Sequence, residues 1–175
     1  MGKNGARDVQ GAQEAQDVLD ATDRALLALL QADGRMSNAK LAEALSLSET
    51  PCWRRLRRLE AEGFIEGYQA NVSRRKLGFG VLALVQVGFA NHADDAPERF
   101  EAAVREIPEI LSCHNVTGGA DYVLEVIARD LPAYGQFVAE VLRRLPGVTS
   151  LRSSLSLREV KATTRLPLER GGKVR

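Results

Sequence analysis

Cysteine, histidine and aromatic residues are all scarce in this chain of 175 residues. The two cysteines, Cys52 and Cys113, lie far apart in unlike contexts. That excludes a disulfide framework and matches no metal-ligand spacing. Both fit the common use of free cysteine as a small buried hydrophobe. The two histidines, His92 and His114, have no Cys, His or carboxylate partner at ligand spacing, so no metal or other cofactor is expected. No nucleophile–base pair or carboxylate pair stands out either, so no catalytic residue is assigned and an enzyme is not expected. Long apolar runs are missing: none approaches the roughly 18–20 residues of a membrane span. The polar N-terminus has no stretch resembling a signal peptide. A cytoplasmic protein in a reducing compartment, without membrane contact, is expected. Charge of one sign is lacking too, since 24 Lys+Arg against 23 Asp+Glu leave a net charge of +1. Even residues 1–72 hold 9 basic against 11 acidic side chains, which argues against strong non-specific attraction to nucleic acid.

What is present is a hydrophobic content of 45%, enough for a core in one large domain or two small ones, and one local concentration of charge. Residues 48–63 (SETPCWRRLRRLEAEG) pack Arg54, Arg55, Arg57 and Arg58 into five positions. Cys52, Leu56 and Leu59 recur there at i, i+4 and i+7, so one helix face can be buried. Trp53, Arg54 and Arg57 fall on the opposite side. A helix anchored by one face and cationic on the other suits a polyanion, although a solvated basic face would show the same pattern.

The neighbouring segments narrow that choice. Residues 1–18 have almost nothing to bury and are expected to be a disordered extension, and residues 169–175 a loose tail. From Asp20 to Gly63 three helix signals follow one another. The first is capped by Asp20, carries Leu26, Leu27 and Leu30 inward and stops at Gly34. The second begins at Ser37 and carries Leu41, Ala42 and Leu45. The third opens at Ser48, with Glu49 in its first turn. Only Ser46-Leu47 separates the last two, which fits a helix-turn-helix. Residues 64–68 (FIEGY) read as a short strand or wing, and 71–80 as a linker.

From Val81 the period changes. Residues 81–90 (VLALVQVGFA) are apolar on both alternating faces, as in a strand covered on both sides. A helix is predicted from Pro97 with Phe100, Val104 and Ile107 inward. Strands over 110–117 and 121–128 flank Gly118-Gly119-Ala120, a hairpin signal. A helix over 131–145, with Phe137, Val141 and Leu145 inward, precedes a last strand over 148–160. The order strand, helix, strand, strand, helix, strand is that of a ferredoxin-like unit. The expected fold class is therefore α+β: a winged helix-turn-helix domain over 19–70, the linker 71–80, and a ferredoxin-like βαββαβ domain for effector binding and oligomerisation over 81–168. No spare element covers the second face of the sheet, so a homodimer formed sheet to sheet is expected.

Three motifs in this order resemble the leucine-responsive regulatory protein/AsnC family of transcriptional regulators, from about Leu19 to Leu168. They are the whole stretch 19–68, CHNVTGGADYVLEV with its Gly-x-x-Asp-Tyr hairpin, and LRRLPGVTSLRSSLSLREVKATTRLPL. The resemblance implies a sequence-specific regulator of double-stranded DNA whose assembly responds to a small effector, with an amino acid expected, and dimers that build up to an octamer. An architectural, nucleoid-associated protein with little effector control is the alternative. Ala120 stands where the family usually has an aromatic residue and Gly119 where it is commonly polar, so the effector's identity is not implied.

In that setting the third helix acquires a chemistry. Major-groove bases are read by bidentate donors such as arginine, and phosphates are met by hydroxyls, cations and helix N-termini. Ser48, Glu49 and Thr50 at the helix start, followed by Trp53, Arg54 and Arg57, are the expected groove contacts. Ser37, Asn38 and Lys40 are expected to meet phosphates. Arg55 and Arg58 flank the buried stripe and stay open between DNA and a structural pairing with Glu60, Glu62 or the first helix, with Arg58 kept in the DNA set. For the hairpin two readings also stay open on chemistry alone. Thr117, Gly118, Gly119, Ala120, Asp121 and Tyr122 either form a plain tight turn or hold an amino acid. In the second case backbone N–H groups face its carboxylate, Asp121 holds its ammonium, and Thr117 and Tyr122 add hydroxyls. The resemblance implies the second.

Overall fold

A computed structural model describes residues 19–89 and 95–168. The expected extension over 1–18, the tail over 169–175, the end of the first strand at Ala90, and His92 lie outside the described residues. The chain divides into two compact units: residues 19–71 together with 163–168, and Val72–Ala162.

The first unit holds three helices, α1 (Ala21–Ala32), α2 (Asn38–Ala44) and α3 (Glu49–Ala61). Each starts where a short polar side chain interrupts the apolar period. Asp20 caps α1, accepting from the Asp23 N–H while Asp23 accepts from the Asp20 N–H, a reciprocal capping box. Ser37 Oγ accepts from the Lys40 N–H. Ser48 has the extended backbone of an N-cap, but its hydroxyl makes no capping bond. Pro51 stands in the first turn of α3, where its missing N–H costs nothing. Ser46 takes φ 54° in the tight turn between α2 and α3, and Gly63 takes φ 78° just after α3. Leu26, Leu27, Leu41, Ala42, Cys52 and Leu59 form the core.

Of the short strand or wing expected over 64–68, no strand forms. Phe64 and Ile65 turn back onto the helical core, with the Ile65 N–H on the Leu59 carbonyl at 3.2 Å. A strand needs a paired ladder, and among the described residues this unit supplies no partner for one. Residues 163–168, expected within the second domain, group with this unit. The Gln31 amide exchanges two hydrogen bonds with the Leu166 backbone, at 3.1 and 2.6 Å. Arg165 donates to the Ala32 carbonyl at the end of α1, and Leu168 packs on the core.

The second unit is one antiparallel sheet in the order β2-β3-β1-β4, with β1 Val81–Phe89, β2 Ile110–Asn115, β3 Tyr122–Ala128 and β4 Val148–Leu155. α4 (Ala96–Arg105) and α5 (Leu131–Glu140) complete the βαββαβ order. Both helices bury one face of the sheet: Phe100, Val104 and Tyr134 meet Ala83, Val85, Val87, Leu124 and Val126. α5 is shorter than its period predicts. Val141 breaks it and a 3-10 turn, Leu142–Arg144, follows. The tighter turn changes the phase, so Leu142, not Val141, is fully buried with Leu145. β4 ends at Leu155, short of the expected 160, and Leu157 is 97% exposed. On β1 the second face is open among the described residues, with Leu84 48% exposed.

Candidate nucleic-acid interface and ligand hairpin

The orientation of α3 follows from what its inner side must satisfy. Cys52 and Leu59 are fully buried, and Leu56 packs beside them. Above this stripe stands Asp23 of α1, fully buried and charged. Its Oδ1 accepts from Arg55 Nη1 at 2.8 Å and its Oδ2 from Arg58 Nη2 at 2.5 Å. Arg55 Nη1 also reaches Asp20 Oδ2 at 2.6 Å. An isolated buried carboxylate would cost several kcal/mol or more, so this one has a place only between the two guanidiniums. The cluster perturbs its members as expected. Hydrogen bonding to Asp23 and then Asp20 holds Arg55 charged beyond its already high ordinary value. The Asp23 backbone N–H, more than Arg55, lowers the Asp20 carboxyl below its usual range.

Turning Arg55 and Arg58 inward turns their neighbours out. Arg54 and Arg57, one position earlier in each case, are exposed, and so is Trp53 at 49%. The Arg57 guanidinium lies 5.6 Å from the Trp53 ring centroid, within cation–π range. Arg57 Nη1 also donates to Glu60 Oε2 at 3.1 Å, and the Tyr68 hydroxyl donates to Glu60 Oε1 at 3.0 Å. Ser48, Glu49 and Thr50 are exposed at the start of the helix. Thus the exposed face gathers Thr50, Trp53, Arg54 and Arg57, with Arg57 already braced over its aromatic neighbour. Arg58 goes instead to Asp23, with Glu62 at 3.8 Å. Asn38 donates its amide to the Glu49 carbonyl at 3.1 Å and so ties the start of α2 to the start of α3. Ser37 caps α2, and Lys40 is exposed beside it.

Pairing of Arg55 and Arg58 with the first helix is one of the readings the sequence leaves open, but it does not single out Asp23 and Asp20 as the partners. Their only local signal was the capping pattern, which explains them without any long-range partner.

The hairpin between β2 and β3 is built around Asp121. Its N–H donates to the Val87 carbonyl at 2.9 Å, and its Oδ2 accepts from the Phe89 N–H at 2.7 Å. Its carbonyl accepts from the Val116 N–H and from the Asn115 amide, both at 3.0 Å. Asp121 therefore staples the loop to β1, at the register shift between Gly88 and Phe89. A Cβ at Gly88 would sit 2.4 Å from Ser150 Oγ, so a larger residue there would force that hydroxyl to turn away. Thr117, Gly118 and Gly119 project into solvent, and Gly118 takes φ 114°. Among the described residues the N–H groups of Gly118, Gly119 and Ala120 meet no acceptor.

Tyr122 faces the other way. It is 4% exposed, its ring packs on Phe100 at 4.7 Å between centroids, and its hydroxyl donates to Glu101 Oε1 at 2.9 Å. Burial first, then Glu101, pushes its phenol up to about 12. Beside it a cleft of about 380 Å3 opens between α4 and β2, lined by Glu101, Arg105, Ser112, Cys113, Asn115 and Tyr122 among others. Among the described residues no group of three or more His, Cys, Asp or Glu could hold a metal ion. Among them, too, no helix is long and apolar enough to cross a membrane.

A helix-turn-helix unit with an arginine face, joined to a βαββαβ unit with a glycine hairpin, defines the class of ligand-responsive DNA-binding regulators. Comparison with known proteins specifies it. Residues 19–66 match the family described as winged helix-turn-helix DNA-binding, and residues 82–166 match the Lrp/AsnC ligand binding domain. The leucine-responsive regulatory protein of Salmonella typhimurium is 42% identical over 151 residues, 86% of this chain and 92% of that protein. The Serratia marcescens protein of the same name is 40% identical over 161 residues, 92% of this chain and 98% of its own length. Among solved structures, a transcriptional regulator of Neisseria meningitidis in complex with L-Met superposes with a TM-score of 0.82 at 42% identity, covering 86% of this chain and 97% of that one. An AsnC family regulator from Agrobacterium tumefaciens follows at 0.81 and 33%, with the same coverage. The chain belongs to the Lrp/AsnC family of transcriptional regulators.

The buried cluster gives a direct expectation. Removing one partner of a fully buried ion pair costs about 3–5 kcal/mol. Arg55 and Arg58 keep part of their surface in water, so Asp23→Ala is expected to destabilise the first unit by about 2–3 kcal/mol. Urea denaturation followed by helix circular dichroism measures this, and an unchanged midpoint would show that the cluster contributes no net stability.

Proposed function

We propose that α3 reads operator DNA through Thr50, Trp53, Arg54 and Arg57, with Ser48 and Glu49 at its entry and Ser37 and Lys40 against the phosphates. The carrying observation is the division of the four arginines. Two are held by Asp23, and the two exposed ones share a face with Trp53 and Thr50. Arg58 and Asn38 support this face from behind, through Asp23 and the Glu49 carbonyl, and contact DNA less directly than their positions in sequence suggest. Arginine at a base edge contributes about 1–3 kcal/mol of discrimination. Arg54→Ala and Arg57→Ala are therefore expected to weaken binding to a fragment selected from random DNA by that amount, and to weaken a scrambled fragment less. Gel-shift titration on both fragments decides. Equal losses would make the two arginines phosphate contacts, and no loss would remove them from the interface.

The effector of this regulator is a free amino acid bound at residues 117–122. The unpaired N–H groups of Gly118, Gly119 and Ala120 offer donors to a carboxylate, and Asp121 beside them offers negative charge to an ammonium. Thr117 adds an exposed hydroxyl. Tyr122 takes part as the rigid base of the loop, because its hydroxyl is engaged with Glu101. The complex of the Neisseria meningitidis regulator with L-Met supports the same ligand class. Calorimetric titration of the twenty amino acids should find at least one that binds, and Asp121→Ala should abolish the signal without unfolding the protein. A flat response to all twenty would leave a regulator without an amino-acid effector.

In the cytoplasm the chain works as a homodimer that assembles further to an octamer. The open face of the sheet supports the dimer: it carries Leu84 and Val123 alongside Gln86, Ser154 and the charged Glu125 and Arg152, and among the described residues of the second unit no element covers it. Effector binding then shifts the assembly equilibrium and with it the spacing of the α3 helices. Light scattering of the wild type should report at least a dimer, and Leu84→Glu should shift the mass toward the monomer. An unchanged mass would place the interface elsewhere.

A further inference from the structure

Charge in the second unit is segregated. Residues 81–155 carry six Lys+Arg against ten Asp+Glu. The two short segments that flank them, 72–80 and 156–162, carry Arg74, Arg75, Lys76, Arg158 and Lys161 against the single acid Glu159. These segments are also where the chain leaves the first unit after Asn71 and returns to it at Thr163.

Both segments are tied to the second unit by backbone hydrogen bonds. The first is a compact turn: Leu77, Gly78 and Phe79 donate to the carbonyls of Ser73, Arg75 and Arg74, and Gly78 takes φ 88°. Gly80 then donates to the Arg129 carbonyl, at a point where a Cβ would lie 2.9 Å from that oxygen. The second segment begins beside β1, where the Ser156 N–H donates to the Leu82 carbonyl. Arg74 joins the two: Nη1 donates to the Phe79 carbonyl at 3.0 Å, and Nη2 lies 3.8 Å from Glu159 Oε2. The only acid of the patch is thereby neutralised from within. Arg75, Lys76, Arg158 and Lys161 are all exposed, and among the described residues none of them makes an ion pair.

We propose that Arg75, Lys76, Arg158 and Lys161 form a second DNA-contacting surface, which binds the phosphate backbone independently of sequence and in addition to the operator contacts of α3. Phosphate is the chemistry that fits. The cations are unpaired, exposed and without aromatic or amide companions for reading bases, which is how backbone-positioning contacts look. The need is also visible, because residues 1–72 are slightly acidic and supply little electrostatic attraction of their own. The proposal rests on DNA being the partner of the helix-turn-helix unit, which family membership establishes. It does not depend on which residues of α3 read bases.

The test is the salt dependence of binding. Each phosphate contact contributes about 0.9 to the slope of log K against log salt on duplex DNA. The variants Arg75→Ala/Lys76→Ala and Arg158→Ala/Lys161→Ala should each make the slope shallower by about 1–2 per chain engaged. At about 0.1 M salt each should lose roughly ten-fold or more in affinity, equally on the selected and the scrambled fragment. Arg143→Ala/Arg144→Ala removes the same charge from exposed residues elsewhere in the unit and should leave the slope nearly unchanged. Thermal unfolding monitors the fold of all three. No change in slope overturns the proposal, and so does an equal change in the Arg143/Arg144 control, which would mean a diffuse field. Failure of the α3 reading looks different: Arg54→Ala/Arg57→Ala would then keep its preference for the selected fragment, whatever the slopes.

Discussion

The arrangement of the DNA-binding unit depends on one buried carboxylate. Asp23 is removed from water, and a charge so placed needs opposite charges close by. Arg55 and Arg58 are those charges, and both belong to α3. A helix that must send positions 55 and 58 inward, while also burying Cys52 and Leu59, has no freedom to roll. Positions 53, 54 and 57 are then solvent-facing by geometry. The apolar stripe alone would permit some rotation, since hydrophobic contact has no direction. The ion cluster removes that freedom because its hydrogen bonds are directional. The capping box ties Asp23 to Asp20, so the start of α1 and the middle of α3 behave as one piece.

The second unit uses the same device with different parts. Asp121 binds β1 through its N–H and its carboxylate, and its carbonyl takes two further bonds from β2 and the loop. The loop tip of Gly118 and Gly119 is thus exposed but held at its base. Tyr122 reinforces that base, in an aromatic group with Phe89 and Phe100 and through its bond to Glu101. A loop fixed at both roots holds its N–H groups in place.

Charge in this protein is informative by location rather than by sum. A net charge of +1 says nothing of a polyanionic partner. Cations in α3 divide between the core cluster and the outer face. In the second unit the two segments by which the chain passes to and from the first are basic in balance, while the sheet and its helices between are acidic in balance. Counterion release depends on which cations reach phosphate, not on the whole-chain total.

Much of this was legible in the sequence. The starts of all three helices of the first unit at Asp20, Ser37 and Ser48, and the βαββαβ order of the second, followed from caps and hydrophobic period, which are local signals. The exposure of Trp53, Arg54 and Arg57 followed from a 3.6-residue repeat. Three things did not follow. Asp23 reads as an ordinary first-turn acid until α3 is brought against it, because a pairing across 32 residues has no periodic trace. Tyr122 reads as a ligand-facing hydroxyl until β3 alternation turns it into the core beneath α4. Residues 163–168 read as the end of the second domain until Gln31 and Ala32 offer them hydrogen bonds. Local sequence determined which residues form elements and which faces are apolar. Tertiary structure decided which charges meet, because the energy of a buried ion pair depends on distance in space and burial, and neither is a property of neighbours along the chain.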